Sequence, residues 1–349
     1  MVLLFSFAVC EAKTQLPELM AKQATNNLRL ISQDGKFTYY QKRSGSLFLS
    51  TNYKVTELIK GTPDTQYSVT AGDEQKKIII TQNENFHNYF SLRNPENIFV
   101  ADYGTLAIHK IGQGISPQLH LGDTWISYFN PTQGIITFEH TTDSALKFAL
   151  RLNNRINPYF IPNVVMADEN TVYYTDLGEN GIPGLIEHKR NLNKSEILFS
   201  AASPLIKFEL CFNHSTLFFA ETGINSGFSG TKLSQIIVPF KDLKQRNIFY
   251  TSKMNDLGHM VCNFSTDSLY FIKNTGTALA TLNNIVEFNF KTQKLNTLTD
   301  FNNSTSLFNM DGTLLTLDHG TYYIIKGKSD FKTIDSLKPK ADDSEVEDE

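Results

Sequence analysis

Eight histidines, three cysteines and a few glycine-spaced polar stretches are the groups in this sequence whose chemistry could go beyond packing. Gly227-Phe-Ser-Gly230 lacks the Gly-x-Ser-x-Gly spacing that lifts a nucleophile onto a strained strand-to-helix turn. Gly230-Thr-Lys232 lacks the Gly-x-x-x-x-Gly-Lys order by which backbone amides cradle a phosphate. Both read as part of a flexible loop from Gly223 to Lys232. Asp176-Leu-Gly-Glu-Asn180-Gly181 has the outline of a calcium loop, but Gly178 stands where an oxygen ligand is needed, so a hairpin loop is expected. His120, His259, Lys207 and Glu209 fall on strands expected innermost in the fold, where polar groups commonly pair with one another. No Cys-x-x-Cys or His-x-x-x-His spacing offers metal ligands, so the reading assigns no catalytic residue, metal or cofactor. Cys211 and Cys262 form an even pair once Cys10 is set aside as part of a leader, and they are candidates for a disulfide. Asn193, Asn213, Asn263 and Asn303 stand in Asn-x-Ser/Thr matches, a pattern common in Asn-rich chains.

These groups must be held by strands. The chain has 349 residues, 40% of them hydrophobic, with 26 Phe and 14 Tyr against one Trp, a balance that favours strands over helices. One unit recurs: an apolar strand, a turn carrying Asp, then a second strand rich in Tyr, Phe and Ile. The turn acids are Asp34, Asp73, Asp123, Asp168, Asp267 and Asp311, and a further copy has Asn213-His214 at the turn. Successive turns lie about 39 to 53 residues apart, the period of a four-stranded blade. Asp suits the place because its carboxylate accepts backbone N–H groups just downstream. Two more strand-like runs follow in most copies, for example Gly184-Leu-Ile-Glu-His-Lys and Ser195-Glu-Ile-Leu-Phe-Ser. A four-stranded sheet apolar on both faces cannot stand alone and must stack on its neighbours. The reading is an all-β propeller of about seven four-stranded antiparallel blades over residues 28–335, a ring whose last unit is complete in itself.

Ser32-Gln-Asp34-Gly35-Lys36-x-x-Tyr39-Tyr40 resembles the turn-and-strand signature of TolB-type, WD40-like propeller repeats. Tyr173-Tyr-Thr-Asp-Leu-Gly-Glu-Asn-Gly181 followed by Gly184-Leu-Ile-Glu-His is similar to their second hairpin. The resemblance spans roughly residues 28 to 335 and implies a periplasmic or extracellular binding scaffold. Thr105-Leu-Ala-Ile-His-Lys-Ile-Gly112 makes the second unit overlong and reads as an extra strand or a rim excursion.

The ends carry further information. Val2-Leu-Leu-Phe-Ser-Phe-Ala-Val9 before Cys10-Glu11-Ala12 has the pattern of a signal-peptide core with a cut after Ala12, so export is expected. Residues 13–27 read as an N-terminal extension, and residues 336–349 as an acidic disordered tail. The last ten residues set six acids against Lys340 in a chain of formal net charge −4, so the body is nearly neutral and no nucleic-acid footprint is present. The loops between second and third strands, at Asp176–Ile182, Gly223–Lys232 and Thr275–Leu282, share one end of the ring. Loops on a rigid scaffold are where binding commonly sits, so Asp176, Glu179, Asn180, Asn225, Phe228, Lys232 and Thr277 are the candidate contact residues. The expected function is a monomeric scaffold for a protein or peptide, without a transmembrane segment in its mature form. The alternative is a hydrolase or lyase with a polar site at the mouth of the central channel.

Overall fold

The computed structural model describes residues 29–333 except 32–36, 43, 52–53, 72–76, 85–94, 103–104, 106, 154–159, 179–180, 202–206, 214, 225–228, 238–246, 253–256, 264–266, 275–282, 302–305, 311–312, 319–320 and 328–329. The proposed leader, the N-terminal extension, the acidic tail and the turn acids Asp34, Asp73 and Asp311 lie outside the described residues. Among the described residues there are 27 strands and one short 3-10 turn at Arg190–Leu192. The expected all-β class holds.

All pairings are between chain neighbours and antiparallel. The first sheet holds β1 (Arg29–Ile31), β2 (Phe37–Gln41), β3 (Leu47–Thr51) and β4 (Val55–Ile59). A seven-stranded sheet follows: β5 (Gln66–Ala71), β6 (Lys77–Asn83), β7 (Glu96–Asp102), β8 (Ile108–His120), β9 (Trp125–Asn130), β10 (Ile135–His140) and β11 (Lys147–Arg151). Four-stranded sheets then run through β12 (Val164–Asp168), β13 (Thr171–Leu177), β14 (Pro183–Lys189) and β15 (Lys194–Ser200), and through β16 (Lys207–Asn213), β17 (Thr216–Ile224), β18 (Ser229–Ile237) and β19 (Asn247–Ser252). The last two comprise β20 (Leu257–Asn263), β21 (Ser268–Asn274), β22 (Asn283–Asn289) and β23 (Lys294–Phe301), then β24 (Ser306–Met310), β25 (Thr313–Asp318), β26 (Thr321–Gly327) and β27 (Asp330–Thr333). The last sheet is complete from one continuous segment, as expected.

The alternation of side chains explains how the sheets stack. Every residue of β13 is buried. Val172 and Tyr174 join the cluster of Trp125, Phe129 and Phe138 from the preceding sheet, while Tyr173 joins Leu217 and Phe219 from the following one. Phe218 and Ala220, facing the other way on β17, pack with Leu269, Phe271 and Phe288. A strand buried on both faces is what sheet-on-sheet stacking demands. The first strands of successive sheets, β12, β16, β20 and β24, lie against one another, β8 lies against β12, and β24 approaches β5. These strands therefore run side by side from sheet to sheet.

The overlong second unit has a simple resolution. Residues 108–114 of β8 pair with β7, and residues 115–120 of the same strand pair with β9. Between them Ser116 takes a positive φ of 50° and Pro117 interrupts the ladder. The segment at 105–112 is thus neither an extra strand nor a rim excursion. It supplies the outer strand of one four-strand set and runs directly into the inner strand of the next. Gly112 and Gly114 allow this, because a Cβ on Gly112 would lie 2.6 Å from the Tyr128 hydroxyl and one on Gly114 2.8 Å from the Phe129 carbonyl oxygen.

Candidate functional site

The stack has two ends. One carries the turns between first and second strands. Three of the six turn acids are described, and each does something different. Asp168 accepts the Asn170 N–H at 2.7 Å, the local capping expected of a turn acid. Asp123 is buried, with φ 63°, and its carboxylate accepts the Lys77 N–H at 3.3 Å, a link back to β6. Asp267, with φ 50°, pairs with Lys291 at 2.7 Å across the next hairpin.

The histidines give no convergent cluster among the described residues. His120 is buried on β8, where Nε2 meets the Ser127 hydroxyl at 2.7 Å, and burial pushes its pKa down to about 3. It is a neutral, paired core histidine. His188 is likewise buried, bonded through Nδ1 to Ser195 at 3.0 Å, and burial lowers its pKa. His259, Lys207 and Glu209 lie on the first strands β20 and β16, as expected from sequence. Among the described residues no three His, Cys, Asp or Glu side chains group as metal ligands. Glu187, twelfth from Asp176, sits on β14 and accepts the Tyr173 hydroxyl at 2.9 Å while pairing with Lys189 at 3.1 Å. The glycine-rich stretch before it is a hairpin, with Gly181 at φ 72° bonded back to Gly178.

The opposite end receives the connections between sheets and the loops between second and third strands. Two clefts open there, in neighbouring seams. One has a volume of about 400 Å³ and lies between the ends of β13, β14 and β15 and the connection leaving β11. Leu177, Ile182, Ile186 and Ile197 give it apolar walls. At its edge Asp176 is only 1% exposed. Its Oδ2 accepts the Asn153 N–H at 2.7 Å and its Oδ1 the Leu177 N–H at 2.8 Å. The carboxylate therefore ties the connection to the hairpin and shapes the mouth. Gly184 completes the floor; a Cβ there would sit 3.7 Å from Ile197 Cγ2.

The second cleft, of about 340 Å³, lies in the seam between β5–β7 and the inner half of β8. Its walls combine Gln66, Ser68, Thr81, Asn83 and Glu96 with Tyr67, Ile79 and Pro117. On the opposite face of the same strands, Tyr67, Gln82, Asn97 and Gln113 stand side by side in register and form a chain of hydrogen bonds. Gln82 donates to the Tyr67 hydroxyl, Asn97 to Gln82, and Gln113 to Asn97, at 3.0 to 3.1 Å. Burial pushes the Tyr67 pKa up to about 12.

Of the expected contact residues, the structure places Asp176 at a cleft and moves Lys232 out of a loop. β17 and β18 pair as far as Ile224 with Ser229, so Gly223 and Gly230–Lys232 belong to strands. Gly, Ser and Thr there read as loop, yet the ladder continues through them. Lys232 stands opposite Glu221 inside the sheet. Glu179, Asn180, Asn225, Phe228 and Thr277 lie outside the described residues. Cys211 on β16 and Cys262 on β20 are buried side by side, with Cα atoms 5.9 Å apart, and join as a disulfide across two adjacent sheets.

With this geometry in hand, the likeness to solved structures is informative about fold. The chain is similar to the tricorn protease (TM-score 0.57, 12% identity), covering 89% of this chain and 35% of that one. It is similar to the β-propeller domain of the Trilobed protease from Pyrococcus furiosus, described as an open velcro topology, with TM-score 0.54 and 10% identity over 88% of this chain and 92% of that one. An oligogalacturonate lyase in complex with manganese aligns with TM-score 0.54 and 10% identity over 85% and 82% of the two chains. The fold is propeller-type. The chain spans about a third of the length of the tricorn protease. No family model and no curated protein matches it. At these identities the likeness is one of fold, shared by proteins of unlike activity.

Proposed function

We propose that the chain is an exported propeller of seven blades that binds a protein or peptide partner at the end where sheets are joined. The seven-stranded sheet counts as two blades because β8 serves both, which with the five four-stranded sheets makes seven. The observation that carries the binding role is the 400 Å³ cleft beside Asp176. Its walls are formed mainly by Leu177, Ile182, Ile186 and Ile197 beside Asn153 and Ser200, its one carboxylate is engaged by backbone donors, and Ile197 at its mouth is 66% exposed. A side chain that is costly to leave in water, on a surface shaped by buried hydrogen bonds, suits an apolar side chain of a partner. Acid–base chemistry has no free group in that cleft among the described residues.

The test is capture of partners by the mature protein from its own extracytoplasmic fraction, with Ile197→Glu as the comparison. The substituted position is exposed, so the fold and its melting temperature stay unchanged while capture falls at least about tenfold, the effect of losing a central apolar contact. Equal capture by both proteins removes the cleft from the binding surface.

A further inference from the structure

We propose that the polar cleft between β5–β7 and β8 is a site for a small neutral polyhydroxylated ligand, of the chemical class of free sugars. It is a separate seam from the cleft beside Asp176, and the inference does not depend on a protein partner binding there.

The alternation of the strands divides the polar residues of this sheet between two faces. Tyr67, Gln82, Asn97 and Gln113 satisfy one another on one side. Gln66, Ser68, Thr81, Asn83 and Glu96 stand on the other, with Gln66 opposite Asn83 and Ser68 opposite Thr81, and all five line the cleft. Among the described residues, the side chains of Gln66, Ser68, Thr81 and Glu96 have no hydrogen-bond or ion-pair partner. Thr81 is only 8% exposed. The Thr81 hydroxyl is not sealed away from solvent; it opens onto the cleft, where a ligand hydroxyl can pair with it. Deeper in the same seam the sequence does seal it, with Ile79, Ile98, Val100, Ile126 and Tyr128 packed together.

β8 runs directly from one four-strand set into the next, so no connection between the two sets folds over this seam among the described residues. Gly114 contributes no side chain opposite Glu96, and Pro117 closes the far wall without an N–H. Among the described residues the lining holds hydroxyls and carboxamides, which both donate and accept, one carboxylate, the apolar Ile79 and Pro117, and no Lys, Arg or His. An anion finds no cation among the described residues there, and an apolar ligand would strand Thr81 and Glu96 in a dry site. A polyol, whose every hydroxyl donates and accepts, matches the set. The volume of about 340 Å³ falls at the small end of ligand pockets.

The experiment titrates the full mature chain by calorimetry with glucose, galactose, mannose, maltose and lactose, alongside glucuronate and putrescine. A neutral sugar binds saturably and the glucuronate and amine do not. Thr81→Val, close to isosteric, weakens that binding about tenfold with melting unchanged, and Ile197→Glu does not alter it. Putrescine binding that is lost in Glu96→Gln would make this an amine site and overturn the proposal. So would the absence of saturable binding by every neutral sugar, or equal affinity in Thr81→Val.

Discussion

At the scale of single residues, burial decides what the titratable groups do. His120 is the clearest case: its ring is enclosed and bonded to Ser127, and its pKa is lowered from 6.5 to about 3. A base held neutral in the fold takes up a proton on unfolding at any pH between those values. Its contribution is therefore complete above pH 6.5 and is lost as the pH falls toward 3. At about pH 5 the loss amounts to about 2 kcal/mol relative to neutral pH. His120→Asn keeps a polar partner for Ser127 but does not titrate. Urea unfolding at about pH 7.5 and about pH 5 shows a smaller fall for this variant than for the parent, by about that amount. Equal falls in the two proteins would place the acid sensitivity elsewhere. Sequence alone put His120 on an inner strand and favoured a paired core histidine. The partner was not legible, because Ser127 meets it only once β8 and β9 are in register.

At the scale of elements, the periodic turns made most first and second strands readable, and β12, β13, β16 and β24 fall where the repeat places them. Two elements were not readable, each for a physical reason. β8 was hidden because Ser116-Pro117 looks like a break, although a bulge tolerates both residues and the strand continues. The row Tyr67–Gln82–Asn97–Gln113 was hidden because its members lie 15 or 16 residues apart and meet only through register. The β8 arrangement makes a direct prediction. Gly114→Ala places a Cβ 2.8 Å from both the Phe129 carbonyl oxygen and Tyr128 Cδ2, and neither backbone nor enclosed ring can withdraw. The variant loses about 1–3 kcal/mol in denaturant unfolding. Gly184→Ala is the control: its nearest neighbour would lie 3.4 Å away, so stability changes by less than about 1 kcal/mol. A Gly114→Ala protein as stable as the control would mean that β8 and β9 approach less closely.

At the scale of the whole molecule, each sheet is held by apolar faces shared with its neighbours, and only one covalent link crosses between sheets among the described residues. Cys211 and Cys262 stand on the first strands of adjacent sheets, 51 residues apart in sequence, with a Cα separation within the range a disulfide spans. Both are buried among Phe218, Phe271 and Phe288, so neither thiol meets an oxidant easily once the sheets have packed. The bridge therefore forms during folding, and it persists where the compartment is oxidising. This ties it to the leader read in residues 2–12, since an exported chain meets such a compartment and a cytosolic one does not. Closing a loop of this length contributes about 2–4 kcal/mol. Protein purified from its native source, denatured without reductant and alkylated, carries the 211–262 link by peptide mass mapping, and reduction lowers its unfolding midpoint by the corresponding amount. Free thiols at both positions in native material would remove the bridge and with it the strongest chemical support for export. A bridge in native material, absent from the same chain expressed in a reducing cytosol, would join the sequence of the first twelve residues to the packing of two adjacent sheets.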